Sequence, residues 1–145
     1  MITLDVLGIP APKGSGRAML IAGRARYIAS SSGANDKKQT AWHRAVQAAA
    51  AAAGCALIAG PVRVSIAFRV PRPAGHRTKR GELRTSAPLH PAVAPDLDKL
   101  TRCTLDALTG LAFTDDSRVV ALTVTKQYAT PGREGASITV EPADA

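Results

Sequence analysis

One stretch of this chain, residues 61–70, alternates so regularly that it restricts the possible folds. Every second position carries a large apolar side chain: Val62, Val64, Ile66, Phe68 and Val70. Because successive side chains of a β-strand point to opposite faces of a sheet, the pattern predicts a strand with one buried and one exposed face. The fold must therefore contain a sheet with other elements packed against one face.

Shorter alternating patterns indicate further strands. Most have apolar side chains at every second position, whereas the hairpin is indicated by two short apolar runs on either side of a glycine. The predicted strands are 2–7, 119–128, 136–141 and a hairpin in which 19–22 and 26–28 are joined around Gly23.

Two segments have the spacing of helices. The first, from about Asp36 to Ala53, is rich in alanine and places Trp42, Val46, Ala49 and Ala53 on one face. The second is predicted to begin at or just after Asp96, because Pro95 disfavours helix in the residue before it. Asp96 is expected to cap this helix, and Gly110 to end it.

The order of these elements is strand, hairpin, helix, strand, loop, helix, strand, strand. Strands and helices do not alternate regularly, so the sequence predicts an α+β fold with a mixed β-sheet and two main helices packed on it. At 145 residues the chain is expected to form a single domain over residues 1–145.

The charge of the chain points to a polyanionic partner. Nineteen Lys and Arg residues against 11 acidic residues give a net charge of +8, which suits nucleic acid or an anionic membrane. The membrane is disfavoured because no run of 18 apolar residues occurs. The two cysteines, Cys55 and Cys103, lack CxxC spacing and are expected to be free thiols in a cytoplasmic protein, with a lone disulfide as the alternative.

Residues 71–95 are predicted to form a long, flexible basic loop. The segment contains five prolines and a single acidic residue, Glu82, beside five cations. Long loops of this kind are usually functional or disordered, and basic ones commonly order on a phosphate backbone. Arg63 and Arg69 on the preceding strand either meet phosphates as well or serve as solubilising charges.

The acidic residues are gathered in one place. Five of the 11 lie within 21 residues, namely Asp96, Asp98, Asp106, Asp115 and Asp116. Magnesium takes carboxylate oxygens, waters and substrate phosphates as ligands, and closely packed carboxylates favour a cation among them. A loop that folds back after the second helix would add Asp115 or Asp116 to the pair at its start. The structural alternatives are a helix cap at Asp96 and an ion pair between Asp106 and Arg102.

Three motifs in this region resemble the signature of the RusA family of Holliday junction resolvases. The family pattern runs P-D-x-D-N-L-x-K, then L-D-A-L-x-G, then D-D-x-Q-V. The matching segments are 95–100 with the sequence PDLDKL, 105–110 with LDALTG, and 115–120 with DDSRVV. Weaker similarity extends to the first strand, to 8–13, to the basic loop and to the strand that contains Lys126.

The resemblance implies a RusA-like fold and a metal-dependent endonuclease active in DNA recombination and repair. Asp96, Asp98 and Asp116 would be the catalytic metal ligands and Asp115 their neighbour. The cofactor would be Mg²⁺, with Mn²⁺ as a substitute. The expected protein is a homodimer that cuts four-way DNA junctions symmetrically, since two opposed strands require two equivalent sites.

Two positions depart from the family pattern. The family asparagine is Lys99 here, and the family lysine is Arg102. Either cation is expected to stabilise charge on the cleaved phosphate, although arginine cannot donate a proton at ordinary pH. A catalytically weakened module that binds branched DNA is therefore the alternative function, and an acid-capped structural helix is a third reading. The cations expected to contact DNA are Lys13, Arg17, Arg63, Arg69, Arg72, Arg77, Lys79, Arg80, Arg84 and Lys126.

Overall fold

A four-stranded sheet and two helices form the body of the protein in a computed structural model, which describes residues 1–14, 17–28 and 33–143. The helices are α1 and α2, and two short strands make a separate hairpin. The bounds of the elements are β1 Ile2–Leu7, β2 Arg17–Ile21, β3 Arg24–Ile28, α1 Gly33–Ala52, β4 Val62–Val70, α2 Leu97–Leu108, β5 Val119–Tyr128 and β6 Gly135–Pro142.

The main sheet has the strand order β1-β6-β4-β5. Strand β6 pairs antiparallel with both β1 and β4, whereas β4 and β5 run parallel. The sheet is therefore mixed, and the predicted α+β fold with two helices is confirmed. Strand β5 lies at one edge of this sheet, a position that matters for the site described below.

The alternation that predicted β4 corresponds to the burial of its side chains. All five apolar residues of the strand are at most 4% exposed. The helices cover this face, where Trp42 of α1 packs against Phe68 of β4 with 6.5 Å between the ring centroids. Val46 and Ala50 complete the buried stripe of α1, so the face is rotated slightly from the prediction, which included Ala53.

A buried hydrogen bond joins the two helices. The Trp42 Nε1–H donates to Thr104 Oγ1 at 3.0 Å, and the Thr104 hydroxyl donates in turn to the Leu100 carbonyl oxygen at 2.9 Å. Thr104 is completely buried, so its hydroxyl satisfies a donor that has no access to water.

Replacement of Thr104 by Val is expected to lower the free energy of unfolding by about 1–3 kcal/mol, because it leaves the buried indole N–H unpaired. Chemical denaturation measures the change. Thr109→Val is the matched control, since the Thr109 hydroxyl makes a comparable 3.0 Å bond to Leu105 but is exposed. If the free energy of unfolding falls equally in the two variants, the buried hydrogen bond contributes no more to stability than the exposed one.

The remaining sequence predictions differ from the structure mainly at element ends. Helix α1 begins three residues before Asp36. Helix α2 ends at Leu108 with Thr109 as its C-cap, and Gly110 follows with a φ of 83°, so the predicted stop at Gly110 is confirmed. The predicted hairpin is confirmed by β2 and β3, which pair across Ala22 and Gly23. Both cysteines are free.

The segment 71–95 is irregular, as predicted, but makes contacts of its own. It contains a 3₁₀ turn, Ala74–His76, and an isolated antiparallel bridge between Arg77 and Leu83. Arg72 lies 4.1 Å from the centroid of the Tyr128 ring and donates to the Pro88 carbonyl oxygen at 2.8 Å. These contacts attach the loop to the end of β5, while its flexibility stays a prediction.

Candidate metal centre and nucleic-acid interface

Asp96 stands at the N-terminus of α2 without capping it through its side chain. Its backbone carbonyl accepts from the Leu100 N–H at 3.1 Å, which begins the helix. The carboxylate makes no capping hydrogen bond, contrary to the expectation from sequence. Its side chain is 59% exposed and forms an ion pair with Lys99 Nζ at 3.4 Å. The carboxylate therefore faces solvent, where a ligand can reach it.

Asp98 lies two residues further on, in the first turn of the same helix. Its carboxylate accepts from the Lys99 backbone N–H at 2.9 Å and is exposed. The unpaired N–H groups of a helix N-terminus attract anionic groups such as these two side chains. Two exposed carboxylates in one helical turn fit magnesium, which is commonly held by one or two carboxylates together with waters and substrate phosphate.

The second acidic pair forms the turn before β5. Asp115 Oδ1 accepts from the Ser117 N–H at 2.8 Å and so caps the 3₁₀ turn Asp116–Arg118. This hydrogen bond is the main cause that lowers the pKa of Asp115. Asp115 thus has a local structural role, whereas Asp116 is exposed beside it with no capping task.

The two acidic pairs lie at opposite ends of α2 within one chain. The N-terminus of α2 is next to Lys126, because Lys126 contacts the Pro95 carbonyl oxygen. The Asp115–Asp116 turn precedes Val119, and the seven residue-to-residue steps from Val119 to Lys126 span about 23 Å of strand.

The turn therefore does not fold back onto the start of α2, contrary to expectation. The reason is the length of the helix, since 12 residues carry the chain about 18 Å away before it turns. Over residues 1–14, 17–28 and 33–143, no three Asp, Glu, His or Cys side chains come together as a metal-binding group. The assignment of Asp96, Asp98 and Asp116 as ligands stays a prediction.

The fifth acid of the cluster, Asp106, forms contacts inside the fold. It forms an ion pair with Lys13, and the Lys13 backbone N–H donates to the Lys99 carbonyl oxygen at 3.0 Å. These two contacts attach the segment after β1 to α2. Burial, followed by the charge of Asp106, raises the pKa of the adjacent Cys103 thiol to about 11, which makes this thiol a poor nucleophile.

Comparison with known proteins decides the family of this chain. The model of a family described as "Endodeoxyribonuclease RusA" matches residues 11–141. The chain belongs to the RusA family. RusA proteins are nucleases that resolve branched DNA junctions and are generally dependent on a divalent metal. The resemblance inferred from the three motifs is confirmed, as is the RusA-like fold.

One curated relative is also similar over part of its length. "Uncharacterized protein YqaN" of Bacillus subtilis (strain 168) is 35% identical over 74 residues. The alignment covers 50% of this chain and 52% of the relative, so the chain spans about half the length of that protein. The similarity adds no information on activity.

Several of the cations predicted to contact DNA have internal partners in this RusA chain, among them Lys13, Arg69 and Lys126. Lys13 is paired with Asp106, as described above. Arg69 is 13% exposed and bonds to Asp5, Ser137 and the Arg133 carbonyl oxygen, at 2.6–2.8 Å. Lys126 donates to two backbone carbonyls. The alternating pattern of β4 could not reveal the role of Arg69, since its partners come from β1, β6 and the turn before β6.

The cations of the basic loop differ in their freedom to bind DNA. Arg77 and Arg84 donate to loop carbonyls, at 3.0 and 3.2 Å, and brace the loop. Lys79 and Arg80 are exposed at its tip. Arg63 is also exposed and donates to the Ala143 carbonyl oxygen at 3.3 Å. The side chain of Arg17 lies outside the described part of the structure. DNA contact by these residues stays a prediction.

An apolar groove, which the sequence did not predict, lies beside the acidic helix. Leu97, Thr101 and Leu105 of α2 face Leu122 and Val124 of β5 across a groove of about 500 Å³, with Asp98 and Arg102 also on its lining. Val120 and Leu122 are 63% and 46% exposed on the same edge strand. The alternation of β5 indicated that the strand has an apolar face. It could not indicate that α2 leaves part of this face exposed.

In the part of the chain that the structure describes, no helix combines the length and the apolar character needed to span a membrane.

Proposed function

We propose that this protein is a magnesium-dependent endonuclease that resolves four-way DNA junctions by symmetric phosphodiester cleavage. The observation that carries the proposal is the exposed Asp96–Asp98 pair, which lies in the family motif and has no capping role. An acid-capped structural helix, the third reading of the sequence, would use the Asp96 side chain to hold the helix N-terminus. A cytoplasmic location fits this function.

Asp96 and Asp98 would hold the metal ion. Magnesium supplies polarisation of the scissile phosphate and a lowered pKa of bound water when it is present. Arg102 is exposed on α2, four residues after Asp98 and hence on the same face of the helix. Its guanidinium is suited to stabilise the negative charge that develops on the cleaved phosphate. Mn²⁺ would substitute for Mg²⁺, since both accept oxygen ligands.

A second copy of the chain would complete the site. Within one chain Asp116 is remote from Asp96 and Asp98, yet the family motif includes all three. Strand β5 leaves one side open for pairing. If two copies meet along β5 around a two-fold axis, the start of each strand lies opposite the end of the other. Asp116 of one copy then approaches the α2 N-terminus of its partner.

The apolar groove supports this arrangement. Exposed Val120 and Leu122 lie on the edge that the second copy would cover, and exposed apolar patches commonly mark protein interfaces. A homodimer formed in this way has two equivalent sites, as symmetric cleavage requires. Exposed cations of the basic loop, such as Lys79 and Arg80, would contact the junction arms.

A direct assay tests the proposal. The purified protein is mixed with a synthetic four-way junction in Mg²⁺, Mn²⁺, Ca²⁺ or EDTA, and with a linear duplex of the same sequence as the control substrate. Paired, symmetric cuts in the junction with Mg²⁺ or Mn²⁺ are expected. Binding without any cut in either metal would favour the second candidate function below.

The second candidate is a module that binds branched DNA but cleaves it weakly. The ion pair between Lys99 Nζ and Asp96, at 3.4 Å, favours it because the ammonium competes with a metal ion for the same carboxylate. The RusA pattern has an uncharged asparagine at this position.

Replacement of Lys99 by Asn is expected to lower the Mg²⁺ concentration for half-maximal cleavage by about 1.4- to 5-fold, the range given by exposed ion pairs of about 0.2–1 kcal/mol. A Mg²⁺ titration of cleavage measures the shift. Lys37→Asn, an exposed lysine of α1, is the matched control. A higher Mg²⁺ requirement in Lys99→Asn would instead indicate that Lys99 assists the reaction.

A further inference from the structure

Lys126 has two hydrogen bonds to the loop that leads into the metal centre. It lies in β5, opposite Phe68 of β4, and its side chain is half-buried. The ammonium donates to the Val93 and Pro95 carbonyl oxygens, each at 2.8 Å. One side chain of the sheet thus binds the backbone on either side of Ala94.

These two bonds act on an irregular segment that leads directly into α2. Pro95 has no N–H to donate, and the carbonyls of this irregular loop lie outside the sheet. Val93 and Ala94 are exposed. Asp96 follows Pro95 directly, and its own carbonyl begins α2. The position of the Asp96 carboxylate therefore depends on the backbone that Lys126 holds.

We propose that Lys126 is a positioning residue for Asp96, and not the DNA contact that the sequence predicted. The proposal rests on the proposed function, because it assumes that Asp96 binds the metal. Transfer of the ammonium to a phosphate would break both carbonyl bonds and release the loop. By holding the Val93 and Pro95 carbonyls, Lys126 would orient Asp96. Residues outside the ligand set orient the ligands of many metal sites in a comparable way.

Lys126→Met tests the proposal, since methionine keeps much of the apolar stem and removes the donor. In metal-free protein, amide hydrogen exchange across residues 93–100 is expected to become faster than in the wild type. Binding of Mn²⁺ to the protein, measured by calorimetry, is expected to weaken by about 10-fold or more. Binding to a four-way junction in EDTA, and its dependence on salt, is expected to stay unchanged.

Two further variants separate positioning from a general effect. Lys126→Arg keeps several N–H donors and is expected to restore most of the Mn²⁺ affinity. Lys37→Met removes an exposed lysine of α1 and is expected to change neither the exchange nor the Mn²⁺ binding.

The opposite pattern would overturn the proposal. If Lys126 contacts DNA, Lys126→Met is expected to bind the junction more weakly and to leave the Mn²⁺ affinity unaltered. The slope of log binding constant against log salt concentration would also fall by about one, the value for one lost phosphate contact. Unchanged exchange across residues 93–100 would also contradict it. A wild-type protein that binds no Mn²⁺ would refute the metal site of the proposed function, whereas faster exchange in Lys126→Met would still support the attachment of the loop.

Discussion

Asp98→Asn is expected to lower single-turnover cleavage of a four-way junction by more than about 100-fold, because loss of a direct metal ligand exceeds the 10–100-fold effects of outer partners. The substitution removes a charge but keeps the shape of the side chain. Asp98 is exposed, so the fold should be retained. Cleavage measured at saturating protein with a range of Mg²⁺ concentrations tests the expectation.

Asp36→Asn supplies the matched control for Asp98→Asn. Asp36 is an exposed aspartate in the first turn of α1, as Asp98 is in the first turn of α2. This variant is expected to cleave at the wild-type rate. Thermal unfolding of both variants verifies that they are folded. An Asp98→Asn variant that cuts at full rate would falsify the metal-ligand assignment.

A mixture of Asp98→Asn and Asp116→Asn chains is expected to recover activity that neither variant has alone. If each site takes Asp98 from one copy and Asp116 from the other, a mixed dimer contains one doubly altered site and one intact site. Random pairing makes half of the dimers mixed, so about one quarter of all sites are intact. The product should consist mainly of single nicks, since no dimer has two intact sites.

Co-expression of the two variants provides the mixed dimers, and native mass spectrometry verifies that they form. A mixture of Asp98→Asn with Asp96→Asn is the control. Both substitutions lie at the same α2 N-terminus, so every mixed dimer has two damaged sites and no recovery is expected. If the first mixture also stays inactive although mixed dimers are present, a site shared between two copies is excluded.

The strands and helices could be predicted because they depend on local patterns. The alternation of 61–70 corresponds to a strand buried on one face, and the spacing around Trp42 corresponds to a helix packed on that face. Element ends were less well predicted, because caps and packing decide where a helix begins. Asp96 illustrates this, since it holds the cap position while its carboxylate makes no capping bond.

Motif spacing predicts which acidic residues form the candidate site, but it does not predict how they are arranged in space. Motif spacing placed Asp96, Asp98 and Asp116 together in the sequence. Motif spacing does not encode the distance that α2 and β5 impose between these residues. The roles of cations were also harder to assign, because a lysine or arginine has the same charge whether its partner is a phosphate or a backbone carbonyl. Lys13, Arg69 and Lys126 all have internal partners.

By itself, the sequence determined the α+β class, the family and the acidic residues, because periodicity and motif spacing are properties of the chain that need no knowledge of distant contacts. Only the tertiary structure decided that β5 lies at an edge of the sheet, where the two acidic pairs lie, and which side chain holds the loop before Asp96. These features depend on contacts between residues far apart in sequence, such as Lys126 with Val93, and no local pattern encodes them.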